Sequence, residues 1–329
     1  NTTGQYNSLF GTNAGQNITT GHSNTFLGWY AGFYQTVGSS NVSIGLQSLY
    51  GTSGKANSVQ QSTAVGEQSL YGAQAGTGLT AVGRGSLRNI WASGSYSTAV
   101  GYNAGYMASG SNNTFVGSSA GYGGVGSAPY STGTMNVAVG AYALDAFTSA
   151  EGITAIGYHA GGAITTGVKN VTVGVYSGDA LTTGARNVAI GSNTLGAATT
   201  ANFNIAIGQG AMESAAASVA FEGTIAIGKS TLNAINSTDA NGTIAIGHQA
   251  GGAITTGRYN TAIGYNAFDS ATELDKNTAV GYNTLTSMSG SAGDALNTAV
   301  GYIAGAAITT GTHNTVLGAN SGNLINTGQ

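Results

Sequence analysis

The chain has 329 residues, of which 56 are glycine, 1 is proline and none is cysteine; 8 basic and 11 acidic residues leave a net charge of −3. Glycine is far above its usual ~7%, but collagen would need it at every third position with abundant proline, and a coiled coil would need about half Ala, Glu, Lys, Arg and Leu. Without cysteine there is no disulfide or thiolate metal site, scattered basic residues leave no footprint for a phosphate backbone, and Val and Ile throughout argue against disorder.

The predicted elements recur as one phrase of five residues. In chain order it reads Asn7-Ser-Leu-Phe-Gly11, Asn24-Thr-Phe-Leu-Gly28, Asn41-Val-Ser-Ile-Gly45, Ser62-Thr-Ala-Val-Gly66, Leu79-Thr-Ala-Val-Gly83, Ser97-Thr-Ala-Val-Gly101 and Asn113-Thr-Phe-Val-Gly117. Eleven more copies end at Gly140, Gly157, Gly174, Gly191, Gly208, Gly228, Gly247, Gly264, Gly281, Gly301 and Gly318, making 18. From Gly11 to Gly318 is 307 residues over 17 intervals, about 18 each. Alternation with period two and β-branched residues predict a short strand in every copy. One face carries Thr, Val or Ile and the Phe, Leu, Ile or Val before the glycine, which reads as core. The other carries a small residue, and Ala64, Ala99, Ala155, Ala189, Ala226, Ala262, Ala279 and Ala299 form the expected close-packing column. The opening residue is Asn in 12 of 18 copies, a type that tolerates the left-handed region and can form side-chain ladders between layers.

Three residues after each glycine comes a second small column, including Ala14, Ser48, Ala104, Thr194 and Ser321. The next residue is either glycine (Gly15, Gly161, Gly305) or large and apolar (Leu49, Leu144, Met212, Phe268), and many copies then turn at Thr-Thr-Gly, as at Thr165-Thr166-Gly167. Each repeat thus reads as strand, turn, short strand, turn. A unit this short cannot bury a core alone, whereas stacked units can. The fold class expected is all-β, a parallel β-solenoid of about 18 rungs forming one domain over residues 1–329; at ~4.8 Å per rung it makes a rod on the order of 85 Å. Longer intervals place their extra residues, 51–61 and 123–134, in one side loop, where the single proline, Pro129, also falls.

Phrases such as Asn260-Thr-Ala-Ile-Gly-Tyr-Asn-Ala267 resemble the head repeats of trimeric autotransporter adhesins, and even more the repeats of phage and phage-like tail-fibre proteins. The resemblance covers nearly the whole chain. It implies a left-handed β-roll with three chains side by side, a homotrimer acting outside the cell as a shaft or attachment head. It also implies that small-residue columns serve close packing between chains. The period is longer than in adhesin heads, and no anchor, coiled-coil stalk or chaperone domain is evident, so the chain reads as a segment of a longer fibre. With like phases at Asn1-Thr-Thr-Gly-Gln5 and Asn326-Thr-Gly-Gln329, end-to-end assembly is a second partner mode. No run of 18 apolar residues occurs, so membrane insertion is not expected.

Catalysis needs converging polar groups in a pocket, and the spacing shows none, so no enzyme activity, cofactor or metal is expected. His22, His159, His248 and His313 read as solvated surface. Asp269, Glu273, Asp275 and Lys276 read as a solvated charged loop. Gly121, Gly123 and Gly126 match a dinucleotide fingerprint only literally, without a βαβ unit around them. The column after the closing glycine mixes aromatics with Glu67, Arg84, Lys229 and Gln209, so it must face solvent. Trp29, Tyr102, Tyr158, Tyr265, Tyr282 and Tyr302, with Tyr30 and nearby Tyr34 and Tyr142, form the candidate surface for a cell-surface polysaccharide or other receptor. Covering the roll or filling a chain interface is an equally good reading of those rings. The strand Thr column (Thr25, Thr98, Thr114, Thr261, Thr278) is broken by Val42, Val137 and Ile205, against an ice-binding array. The reading is a structural and adhesive extracellular fibre segment, with a self-assembling filament subunit and a polysaccharide-cleaving tailspike as alternatives.

Overall fold

The computed structural model describes residues 3–90, 94–124, 131–215, 220–237, 240–290 and 292–327. Asn1, Gly126, Pro129 and Gln329 lie outside them. The chain is an all-β parallel β-solenoid, and the described residues form strands and turns with no helix. It divides into two compact units, residues 1–166 and 167–329.

Each unit contains nine rungs. In the first, Ser8–Phe10, Thr25–Leu27, Val42–Ile44, Thr63–Val65, Thr80–Val82, Thr98–Val100, Thr114–Val116, Val137–Val139 and Thr154–Ile156 pair in that order. In the second the order is Val171–Val173, Val188–Ile190, Ile205–Ile207, Ile225–Ile227, Ile244–Ile246, Thr261–Ile263, Thr278–Val280, Thr298–Val300 and Thr315–Leu317. All pairs are parallel and in register, so Ala lies on Ala and closing glycine on closing glycine. The glycine file is tight: a Cβ on Gly28 would sit 2.6 Å from the Gly45 carbonyl oxygen, and φ at Gly28 is +139°. Only glycine meets both conditions at once.

Two expectations about faces are corrected. The middle residue of each strand points inward: Ala64, Ala99, Ala155, Ala189, Ala226, Ala262, Ala279 and Ala299 are all fully buried within their own chain. Close packing between chains, which the resemblance implies for small columns, therefore does not fall to them. The residue before the closing glycine, expected in the core, points out instead. Leu27, Ile44, Val100, Val116 and Ile156 are between 36% and 42% exposed. In a three-residue strand only the centre can face a narrow interior, and the pleat turns both neighbours outward.

The core is built from three columns per rung. These are the strand centre, the residue four after the closing glycine and the residue seven after it. Their volumes compensate. Where the strand centre is large, as Phe26 or Phe115, the second position is Gly32 or Gly121, whose added Cβ would collide with that ring. Where the centre is Ala138, Ala189 or Ala262, the second position is Leu144, Leu195 or Phe268, each essentially fully buried. Ile90, Phe147, Ile164 and Ile235 supply the third column. Small residues three after the glycine, such as Ala104, Ser177 and Thr231, are also fully buried.

The second strand expected in each repeat is present only locally: Ser58–Gln60 pairs with Ala75–Thr77, and Leu274–Asp275 with Gly293–Asp294. The turn that follows each closing glycine, the place expected for that strand, is bridged by single backbone hydrogen bonds instead, such as Gly32 N–H to Ser48 O at 2.9 Å and Leu195 N–H to Ala211 O at 2.9 Å. The cause is backbone geometry. Residues two and four after the closing glycine hold positive φ in every rung, including Leu49 (+48°), Leu87 (+45°) and Phe268 (+54°), which breaks extended pairing at that turn; the two local pairs lie later in their rungs, just before the next opening residue. Such φ values in bulky residues cost about 1–2 kcal/mol each and persist because packing over-determines them.

The opening Asn residues do form ladders. Asn187 Nδ2 donates to Asn170 Oδ1 (3.1 Å) and to the Ala201 carbonyl (2.7 Å), and Asn187 Oδ1 accepts from the Asn204 backbone N–H (3.1 Å). The same pattern links Asn7, Asn24 and Asn41, and Asn260, Asn277, Asn297 and Asn314. The left-handed residue, however, is the one before the Asn. Ser23, Lys169, Arg186 and Tyr259 have φ between +56° and +58°.

Candidate functional site

Register stacking turns each sequence column into a file of side chains one rung apart, so neighbours in a file meet at about 5 Å. Among the residues directly after the closing glycines, the second unit brings four rings together. His248 stacks on Tyr265 (5.1 Å between centroids, 7° between planes), Tyr265 on Tyr282 (5.3 Å, 12°) and Tyr282 on Tyr302 (5.2 Å, 11°). In the first unit the same column is discontinuous. Trp29 meets Tyr30 edge-on at 5.0 Å, Tyr102 lies under Arg84, and Tyr158 meets Tyr142 at 6.1 Å and His159 at 4.8 Å. Thus Tyr265, Tyr282 and Tyr302 are brought together, whereas Trp29, Tyr102 and Tyr158 stand apart. Stacked rings cover each other's faces, so the Tyr265–Tyr302 file offers solvent mainly ring edges and hydroxyls rather than open faces.

A second aromatic file was not anticipated from the sequence. The fifth residues after successive closing glycines of the first unit are Phe33, Tyr50, Tyr71, Arg88, Tyr106 and Tyr122. Phe33 stacks on Tyr50 (5.5 Å, 13°), Tyr50 on Tyr71 (5.0 Å, 1°) and Tyr106 on Tyr122 (5.0 Å, 2°). The Arg88 guanidinium fills the rung between, 4.9 Å from the Tyr71 centroid and 5.4 Å from that of Tyr106. Tyr34 packs edge-on against Tyr50 at 5.2 Å. Counting a fixed offset from each closing glycine would have exposed this file, but tyrosines spaced 16 to 21 residues apart carry no local pattern. Burial, with the neighbouring tyrosines adding to it, pushes the hydroxyls of Tyr50 and Tyr122 above the ordinary tyrosine value, Arg88 opposing at Tyr122. Both therefore remain hydrogen-bond donors at neutral pH.

Beside Arg88 the surface is indented. Gly85, second after its closing glycine, is buried beneath the Asn103 amide, whose oxygen takes the space a Cβ there would need, and a notch of about 340 Å³ opens beside it. Arg84 Nε bonds the Glu67 carboxylate at 3.2 Å and its Nη1 donates to the Tyr102 hydroxyl at 3.2 Å. Arg88 Nε donates to Gln68 Oε1 (3.1 Å) and Nη1 to the Tyr106 hydroxyl (2.8 Å). Two guanidinium groups and three tyrosines thus line one concave, polar place.

The remaining sequence candidates are distributed differently from expectation. His22 and His313 are exposed, but His159 stacks on Tyr142 (5.1 Å, 18°) and His248 on Tyr265, so neither of these two is freely solvated. In the charged loop, Asp275 is buried, receiving Arg258 Nε at 2.8 Å and the Arg258 backbone N–H at 2.9 Å, while Lys276 pairs with Asp294 at the surface. Burial raises the carboxyl pKa of Asp145 and Asp269; His159, and at Asp269 the Gly252 backbone and His248, oppose the rise. Among the described residues no group of three or more His, Cys, Asp or Glu is placed to hold a metal, and no helix is long and apolar enough to cross a membrane. No protein-family model matches the chain, and no curated protein matches it.

Proposed function

We propose that the chain is a structural and adhesive segment of an extracellular fibre, three copies packed side by side, that attaches to a cell-surface glycan or receptor. The observation that carries the reading is the outward file before the closing glycines. It is Phe, Leu, Ile or Val in all 18 rungs, although it faces away from the core. A solvent-facing column is normally free to vary, and apolar residues maintained through every rung call for cover. A second and third copy of the same repeat supply that cover with a matching period. The resemblance of the Asn-to-Gly phrases to adhesin heads and tail-fibre repeats supports the same reading, as do the aromatic files offered for recognition. A binding rather than catalytic role is part of the proposal, and Glu67, Asp275 and Asp294 are each held by a basic partner.

Native mass measurement tests it. Three chains are expected for the wild type, and Ile156→Asp together with Val100→Asp should yield monomers that keep the β-rich circular dichroism spectrum. A monomeric wild type at micromolar concentration rejects the assembly. A depolymerase assay on polysaccharide should show no cleavage.

A further inference from the structure

We infer that the notch over Gly85 binds a carboxylate-bearing sugar unit of an acidic polysaccharide, its carboxylate taken by Arg88 and its ring lying against Tyr102. The inference rests on the attachment role above and names the ligand class and the place. Arg88 is the central observation. Of the five N–H donors of a guanidinium, one is used on Gln68 and one on Tyr106, leaving three. No carboxylate among the described residues pairs with it. It is nonetheless held in place, clamped between the Tyr71 and Tyr106 rings. A half-buried cation fixed by neutral partners, with donors to spare at the edge of a cavity, is arranged for an anion from outside. The planar fork matches the two oxygens of a carboxylate.

The rest of the notch suits a sugar. The Tyr106 and Tyr122 hydroxyls and the Asn103 amide offer donors and acceptors for ring hydroxyls. Tyr102 is nearly half exposed and has a guanidinium rather than another ring over it, so part of its face remains for C–H contacts with a pyranose. The notch is shallow and polar, which gives an apolar peptide anchor nothing to fill. Gly85 has no side chain where neighbouring rungs carry Gln47, Gln68, Asn103 and Ser119, and this lets the Asn103 amide lie back over it and leave the notch in front of Arg88 open.

The test uses the full chain and two variants. Gly85 has φ +66°, and Asn103, Asn193 and Asn283 hold φ between +50° and +54° at the same place in other rungs. Gly85→Asn should therefore keep the fold, checked by its melting curve, while its side chain drives the Asn103 amide out into the notch and closes it, and Arg88→Gln removes the charge. The probes are oligogalacturonate and its methyl ester, and sialyllactose and lactose, measured by calorimetry, with an array of acidic and neutral glycans alongside. At least one carboxylated probe should bind the wild type, weaken as salt rises, and lose about tenfold or more on esterification or in either variant. Equal binding by the variants or by neutral probes, or no binding of carboxylated probes at millimolar concentration, overturns the notch assignment. If array binding is retained but unaffected by Gly85→Asn and Arg88→Gln, the notch falls and attachment stands. If the wild type binds nothing on the array, the glycan-attachment reading falls with it.

Discussion

The compensation between core columns can be tested by moving one ring. In the rung at Ala262 the ring belongs to Phe268, whereas in the rung at Phe115 it belongs to the strand and Gly121 stands opposite. The first two columns around them agree: Ala99/Gly105 precede and Ala138/Leu144 follow Phe115, and Ala245/Gly251 precede and Ala279/Leu285 follow Ala262; the third column differs, with Ala108, Gly124 and Phe147 in the first case and Ile254, Ala271 and Met288 in the second. Ala262→Phe alone places a ring against the buried Phe268 and should cost about 1–3 kcal/mol by overpacking. Phe268→Gly alone empties the site at about 3–5 kcal/mol. Relief of φ +54° at that position returns about 1–2 kcal/mol, for a net loss of about 1–4. Together the changes recreate the Phe115/Gly121 arrangement, so the double variant should be more stable than the sum of the singles by about 2–3 kcal/mol. Urea midpoints, with native-state hydrogen exchange at Thr261–Ile263 because repeat arrays need not unfold in one step, would measure it. Additive losses, or a double variant worse than either single, would refute volume exchange between columns.

Two further outcomes follow from buried polar groups. Asn187→Ala strands the Ala201 carbonyl and the Asn204 N–H inside the solenoid, and should cost about 2–4 kcal/mol; a loss below about 0.5 kcal/mol would show the ladder to be dispensable. The carboxyls of Asp145 and Asp269, raised by burial, bind more protons folded than unfolded between the ordinary carboxylate value and their folded values. Their contribution therefore favours folding on the acid side of that window and is lost as pH rises through it. Asp269→Asn should be more stable than the wild type at pH 7 and lose that advantage on acidification, read from melting curves across pH; a constant difference at all pH values would sink this assignment.

Much of the architecture was legible because the repeat is short and its glycine invariant. A fixed return of Asn, a β-branched pair and Gly dictates one strand per rung, and stacking follows because no rung buries a core alone. Faces were not legible. Val and Ile before each glycine have the composition of a core, yet the pleat of a three-residue strand turns them outward while Ala64 and its equivalents fill the interior. The left-handed residue was not legible either: Asn tolerates that region but here serves the ladder, while Lys169 or Arg186 before it takes the turn. The aromatic candidates were found where they directly follow the glycine. The Arg88 file and the Gly85 notch were missed because their members lie 16 to 21 residues apart and mean nothing until the rungs are superposed.

By itself, then, the sequence determined a parallel β-solenoid and its register, since hydrogen bonding between equivalent strands requires like residues to lie on like. Only the tertiary structure decided which side of each strand is core, and which distant side chains meet at about 5 Å in a file. Those depend on how the backbone between strands turns, through residues such as Leu49 and Phe268 held at positive φ against their own preference. Packing of the whole rung imposes that conformation, and no local pattern announces it.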